Sequence, residues 1–293
     1  MSHAAETIIL GLLTGGVYAL LASGLTLIFG VMRIVNVAQG ALLVLSALVT
    51  FELWRRLGLD PIAASLLTTP LMFGVGWLIY RLFVTRIRTA PVSMTVLLMF
   101  ALAITIEGAM GLTWRNVFRS VTPSYFSQSW HLGPLFFPKA QVYGCLAALL
   151  VMAALYLLLA RTWAGRAIRA AADNPQGAQL VGVDFRAVAA LTFAVGVATT
   201  GAGGSILSVL YAVFPASHYL WIARLLGIVV LGGMGSLPGA VVGALLLGVA
   251  EALTATYVST RWATVVFYLV ILVVLLLRPQ GLMGSRLRGD VVA

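Results

Sequence analysis

Long apolar runs recur along the whole chain, separated by short polar stretches. They cover residues 7–29, 34–53, 62–84, 92–114, 141–160, 187–213 and 262–277. Runs of this kind suit α-helices crossing a hydrocarbon core of about 30 Å. A further apolar stretch, 222–257, is too long for one ordinary helix, and Pro238 and its neighbouring glycines interrupt it. It is expected as two shorter helices joined near Ser236. The pattern predicts an all-α polytopic membrane protein with eight or nine transmembrane helices, a broken helix pair near Ser236, and one transmembrane domain over residues 1–293. The N-terminus has no basic leader and carries Glu6, so no cleaved signal peptide is expected.

The polar interruptions carry the next layer of information. Residues 161–186 read RTWAGRAIRAAADNPQGAQLVGVDFR. Arg161, Arg166, Arg169 and Arg186 outnumber Asp173 and Asp184, which places the segment in the cytoplasm by the positive-inside rule. Asn174 is a good N-cap, Pro175 suits the first helical position, and Gly182 can end the turn in a left-handed conformation. Asp184 can cap the membrane helix that follows. A compact helix on the inner face suggests a docking surface for a cytoplasmic partner. With nine spans, Arg33, Arg81, Arg86, Arg88, Arg278, Arg286 and Arg288 also fall inside, making 11 of the 18 basic residues. Arg55, Arg56, Arg115, Arg119, Lys139, Arg224 and Arg261 fall outside. The bias is modest, and the opposite orientation stays open. Residues 115–139, with Tyr125, Trp130 and His131, become the main external loop, suited to the interface or to an extracytoplasmic partner.

Composition agrees with the pattern. Hydrophobic residues make up 61% and charged residues 9%, against roughly 45–50% and about 25% in soluble domains. The net charge of +10 sits mostly at the ends of apolar runs, where arginines meet anionic headgroups, so it signals membrane lipid and not nucleic acid. A single cysteine, Cys145, allows no internal disulfide and no thiolate metal site. The 30 glycines read chiefly as packing devices that let helix backbones approach closely. Gly11 and Gly15 are four apart, Gly235, Gly239 and Gly243 continue that spacing along one face, and Gly201, Gly203 and Gly204 cluster in another span. The sequence LGGMGSLPG (231–239) is also a candidate for irregular backbone at membrane depth, which is tolerated only where it is buried or lines a cavity.

Polar groups inside the spans are few, so each is a candidate. Glu107 and Glu251 lie within apolar runs. Asn36 and Gln39 cluster with Arg33 where the first span hands over to the second, and Arg224 opens the broken stretch. Asn36, Gln39, Glu107, Glu251 and Ser236 are candidate pathway or gating residues. Interhelical hydrogen bonding or a place near the headgroups is the plainer role for each. No pairing of either glutamate with a particular arginine is legible. Enzymatic signatures are absent: there is no phosphate-binding G-x-x-x-x-G-K-[ST] loop, no G-x-S-x-G elbow, and no His–carboxylate set at metal-ligand spacing. The chain is therefore read as a non-enzyme with no metal and no bound cofactor.

Four separated segments carry a family resemblance. GLLTGGVYALLASGLTLIFGVMRIVNVAQG (11–40), GRAIRAAADNPQGAQLVGVD (165–184), LGGMGSLPGAVVGALLLGVAEAL (231–253) and LRPQGLMG (277–284) resemble the branched-chain amino acid ABC transporter permeases, the shorter LivH-type subunit in particular. The resemblance implies an importer whose path forms between this permease and a second, LivM-type permease. Two cytoplasmic ATPase subunits would use ATP and Mg, and an extracytoplasmic substrate-binding protein would deliver the amino acid. It also implies that Arg166, Arg169, Ala171, Asp173, Asn174, Pro175 and Gly182 contact the ATPase. Gln39 stands where several members carry His, which removes a titratable group there. Urea and short-chain amide importers resemble the same family. An ion-coupled secondary transporter relaying through Glu107 and Glu251 is the alternative of a different class.

Overall fold

The structure, a computed structural model, describes residues 2–87, 91–132 and 135–284; Arg88, Arg286 and Arg288, counted above among the inner charges, lie outside the described residues. The chain runs through helices α1 (Ser2–Met32), α2 (Gln39–Leu57), α3 (Pro61–Leu82) and α4 (Val92–Trp114), then strands β1 (Ser129–Leu132) and β2 (Leu135–Pro138). Helices α5 (Lys139–Arg161), α6 (Trp163–Asp173), α7 (Pro175–Leu180), α8 (Phe185–Leu210), α9 (His218–Gly232), α10 (Leu237–Tyr257) and α11 (Thr260–Leu277) follow. Among the described residues, 8 helices are long and apolar enough to cross a membrane. The expected all-α polytopic fold is thus the observed one. The ninth long helix, α2, lies buried inside the bundle, and Glu52, Arg55 and Arg56 occupy its last turns.

Helix α8 is the axis of the packing. It is buried along most of its length, and its small residues admit neighbouring backbones. Gly201 faces the backbone of Thr68 and Thr69, Gly204 faces that of Leu43, and Gly196 faces Gly24 of α1. Lipid offers no hydrophobic drive for helix association, so close packing and hydrogen bonds take over. Both Ser46 Oγ and Thr68 Oγ1 donate to the Gly201 carbonyl at 2.9 Å. The Ser205 hydroxyl joins Thr50 at 2.8 Å and Thr68 at 2.9 Å. The outward faces of α3 and α11 carry large exposed aliphatics instead, among them Leu66, Leu71, Leu269 and Leu272.

The two ends of the bundle differ. At one end lie α6, α7 and the junctions after α1, α9 and α11, with Arg33, Arg81, Arg86, Arg161, Arg166, Arg169, Arg186 and Arg278. At the other, Arg119 exchanges backbone hydrogen bonds with Val213 at 2.8 Å, and Val121 donates to Ser208 at 2.8 Å. The segment 115–139 is not merely a loop, because Ser129–Leu132 and Leu135–Pro138 pair antiparallel as a hairpin. Each strand is only four residues long and carries no alternating pattern that would mark it in the sequence.

The break near Ser236 exists, but at the arginine-rich end. Gly233 and Gly235 adopt φ of +102° and +87°, Gly235 packs on Gly30 at the end of α1, and Leu282 and Met283 donate to Leu231 and Gly232 at 2.8 and 3.0 Å. Gly235 therefore sits in a turn and not on a helix face with Gly239 and Gly243, which pack on Gly232 of α9. Irregular backbone inside the bundle occurs elsewhere. After Arg33, with φ of +54°, residues 33–38 climb back inward, and α2 starts beside Gly196, eleven residues into α8. The start of α9 lies beside it, where Gly40 meets the His218 carbonyl and Ile222.

This packing predicts which glycines matter. A Cβ at Gly24 would collide with the Gly196 carbonyl and the Thr199 hydroxyl, whereas one at Gly74 would meet nothing within 4 Å. Gly24→Val is expected to cost about 1–3 kcal/mol or more through overpacking and Gly74→Val close to none. Thermal unfolding of the two variants in detergent, followed by size-exclusion, measures the contrast.

Candidate functional site

The segment 161–186 folds into two short helices in series. Thr162 caps α6 by accepting from Gly165 N at 3.0 Å, and Asn174 caps α7 by accepting from Gly177 N at 2.9 Å. Pro175 takes the first position of α7. Gly182 follows with φ of +86°, a left-handed conformation that most side chains resist. The Asp184 carboxylate then accepts from Arg186 N at 2.8 Å and starts α8.

Helix α6 is amphipathic. Ala167, Ile168 and Ala171 pack against Leu27, Val31, Leu159 and Val188, while Arg166, Arg169 and Asp173 face outward. Ala171 is 0% exposed. Its expected contact with a partner does not hold: the small side chain seats the helix on the bundle. Gly165 presses directly on the last turns of α5. Arg169 Nη1 donates to the Leu159 carbonyl at 2.7 Å, using one of the carbonyls a helix end leaves open. Arg169 therefore ties α6 to α5. The outermost side chains are ones the sequence did not single out: Leu180 is 89% exposed and Val181 79% exposed. Their apolar character, in a short polar segment, was the available signal.

The intramembrane candidates resolve into three clusters. First, Asn36 Nδ2 donates to Gln39 Oε1 and Gln39 Nε2 donates to the Gly196 carbonyl, both at 2.9 Å. Both side chains are fully buried, and the pair fixes the start of α2 against α8. Second, Glu251 pairs with Arg224 at 2.9 Å. Tyr18 OH donates to Glu251 at 2.8 Å, accepts from Arg224 at 2.6 Å and lies 3.1 Å from Tyr211 OH. The rings of Tyr18, Trp221 and Phe267 surround the guanidinium, with centroids 5.8, 5.7 and 5.3 Å away. Arg224 is thus a half-buried bundle residue, not one of the external charges of the sequence reading. Third, Glu107 accepts from Tyr219 OH and pairs with His218 Nε2, both at 3.0 Å. Ser236 joins none of these clusters; its hydroxyl accepts from Gly239 N at 3.1 Å and caps α10.

A multi-pass helical protein with a helical platform at one end and sparse, self-paired polar clusters within its spans is built as a membrane permease. The chain belongs to the family of branched-chain amino acid transport system permease components, matched over residues 7–275. It is 31% identical over 289 residues to the high-affinity branched-chain amino acid transport system permease protein LivH of Salmonella typhimurium, covering 94% of this chain and 93% of the relative. It is 29% identical to BraD of Pseudomonas aeruginosa, the corresponding permease, with 96% of each chain covered. A fructose import permease of Rhizobium meliloti, FrcC, is 28% identical over 73% of this chain and 61% of its own length. No solved structure shows significant similarity. The family is one of transport permeases and not of enzymes.

The Arg224–Glu251 pair is expected to be strongly coupled. Removing one partner leaves a stranded charge, at a cost of about 3–5 kcal/mol, whereas removing both is much milder. Arg224→Leu and Glu251→Leu alone should each lower thermal stability in nanodiscs, and the double variant should recover most of the loss.

Proposed function

We propose that this chain is a permease subunit of an ATP-driven importer in a bacterial cell membrane and that its cargo is a branched-chain amino acid. Full-length similarity to LivH and BraD supports the cargo class, since the fructose permease aligns over a smaller share of its length. The arginine-rich end faces the cytoplasm. There α6 and α7 form the docking platform for two cytoplasmic ATPase subunits, which bind and hydrolyse ATP with Mg. The hairpin end faces outward, toward a substrate-binding protein, and a LivM-type second permease completes the path.

The observation that carries the reading is the construction of the platform. Leu180 and Val181 stand free at its tip, and Arg169 and Gly165 hold its base on α5. An apolar tip beside exposed Arg166, Asp173 and Asn174 has the anatomy of a docking surface, apolar at the centre and polar at the rim. Closure of the ATPase pair pushes on the tip; because α6 is tied to α5 and α7 leads directly into α8, the push rotates these spans together. The cargo is selected at the binding protein, so the path needs few charged groups. The Arg224–Glu251 pair, being internally compensated, gives no support to an ion relay.

Reconstitution with candidate ATPases, second permease and binding protein in proteoliposomes tests this. Leucine-loaded binding protein should stimulate ATP hydrolysis and uptake. Leu180→Asp with Val181→Asp should cut both by about tenfold or more, as truncating an interface anchor does, with thermal stability unchanged because both side chains are exposed. Stimulation by urea or an amide in place of leucine would reassign the cargo, and uptake driven by an ion gradient without ATP would refute the reading.

A further inference from the structure

One carboxylate in the spans, Glu107, is paired with a histidine and with no arginine or lysine among the described residues. Glu107 stands seven residues before the end of α4 at Trp114, about 10 Å from the hairpin end at 1.5 Å per residue. One of its oxygens is held by Tyr219 OH and His218 Nε2; the other has no partner among the described residues, and no arginine or lysine there pairs with it. The His218 ring is fully buried and stacks on Tyr219 with centroids 4.0 Å apart; its Nδ1 has no partner among the described residues, so Glu107 makes its side-chain hydrogen bond. The Glu107 side chain itself stays 24% exposed. Beside it on α4 the surface is open: a Cβ at Gly111, one turn further on, or at Gly108 would meet nothing within 4 Å. Thr105 is exposed on the same helix and Tyr219 on α9. A carboxylate facing hydrocarbon is costly, whereas the exposed residues around it on α4, Leu97, Ile104 and Leu112, are aliphatic.

We propose that Glu107, positioned by His218 and Tyr219 beside the open surface at Gly108 and Gly111, lines the water-filled translocation path and receives the primary ammonium group of the amino-acid cargo. The assignment rests on the transport reading above and deepens it. Two donors pin one carboxylate oxygen, so the group is preorganised while its second oxygen stays open to a cation. The Arg224–Glu251 pair cannot serve this way, because each partner already satisfies the other. Gly108 and Gly111 add no side chain beside the carboxylate, which leaves room for a small charged head between the exposed Ile104 and Leu112. A zwitterion crossing a weakly polar path meets a fixed carboxylate here.

Accessibility chemistry on the full complex in proteoliposomes tests the assignment. Cys145 is the chain's one cysteine, so Gly111→Cys in a Cys145→Ala background gives a single reporter thiol in open space. A cationic ethylammonium thiosulfonate should label it about tenfold or more faster than the anionic ethylsulfonate reagent, because the carboxylate concentrates cations near it. Leucine-loaded binding protein with ATP should slow the cationic labelling. Glu107→Gln, which keeps the side chain's shape and an acceptor oxygen, should erase the charge preference. Gly108→Cys repeats the measurement should Gly111→Cys fail to assemble. Labelling only by a membrane-soluble maleimide would make the face a lipid contact. No labelling by any reagent would place it under the second permease, and a preference that survives Glu107→Gln would assign the field to another group; each outcome overturns the proposal. Leucine uptake by the same vesicles keeps the two readings apart: uptake without charge preference sinks this site alone, and absent uptake sinks the transport reading.

Discussion

Backbone and polar groups inside a bilayer must find partners within the protein, because hydrocarbon offers none. This constraint organises the whole bundle around α8. Its glycines let α1, α2 and α3 come within backbone contact, and the carbonyls exposed by that approach then accept from neighbouring side chains. Gly201 O takes Ser46 and Thr68, and Gly196 O takes Gln39. Close packing and hydrogen bonding are therefore one arrangement. They also allow α2 to begin deep inside the bundle after an irregular climb, whose Asn36 and Ala38 are buried in protein.

The same accounting separates the polar clusters by role. Asn36 donates to Gln39, and Gln39 donates to α8, so the two act as a brace. Arg224, Glu251, Tyr18 and Tyr211 satisfy one another and clamp α9 and α10 to α1. Glu107 differs, because its partners are a histidine and a tyrosine, and its second oxygen has no partner among the described residues. At the arginine-rich end, the platform is mechanically continuous with the spans. Gly165 and Arg169 lock α6 to α5, and Asn174, Gly182 and Asp184 shape the path from α7 into α8. A displacement at Leu180 has few soft joints through which to dissipate.

How much of this could be read in the sequence follows from the range of each interaction. Apolar runs mark membrane helices by length alone, and Pro238 with its glycines marks the break at Ser236. The caps at Asn174, Pro175, Gly182 and Asp184 are legible because capping acts over two or three residues. Family motifs named the class correctly. The ion pair from α9 to α10 and the contact of Glu107 with His218, 111 positions away, are tertiary and left no local trace. Ala171 was misassigned for a related reason: a motif marks a position as important without saying whether it faces a partner or the core. The depth of the break was also unreadable, because glycine-rich backbone looks alike at the end of a bundle and in its middle.

The central claim is that the exposed tip of α7 transmits force from a cytoplasmic ATPase to α5 and α8. The most direct measurement is site-specific cross-linking from Val181→Cys, in the Cys145→Ala background, in the assembled transporter within native membranes. The account predicts cross-links to the ATPase subunit from the cytoplasmic side, with a yield that changes when ATP is trapped. Cross-links to the extracytoplasmic binding protein, or labelling of this thiol from the outer face, would contradict it.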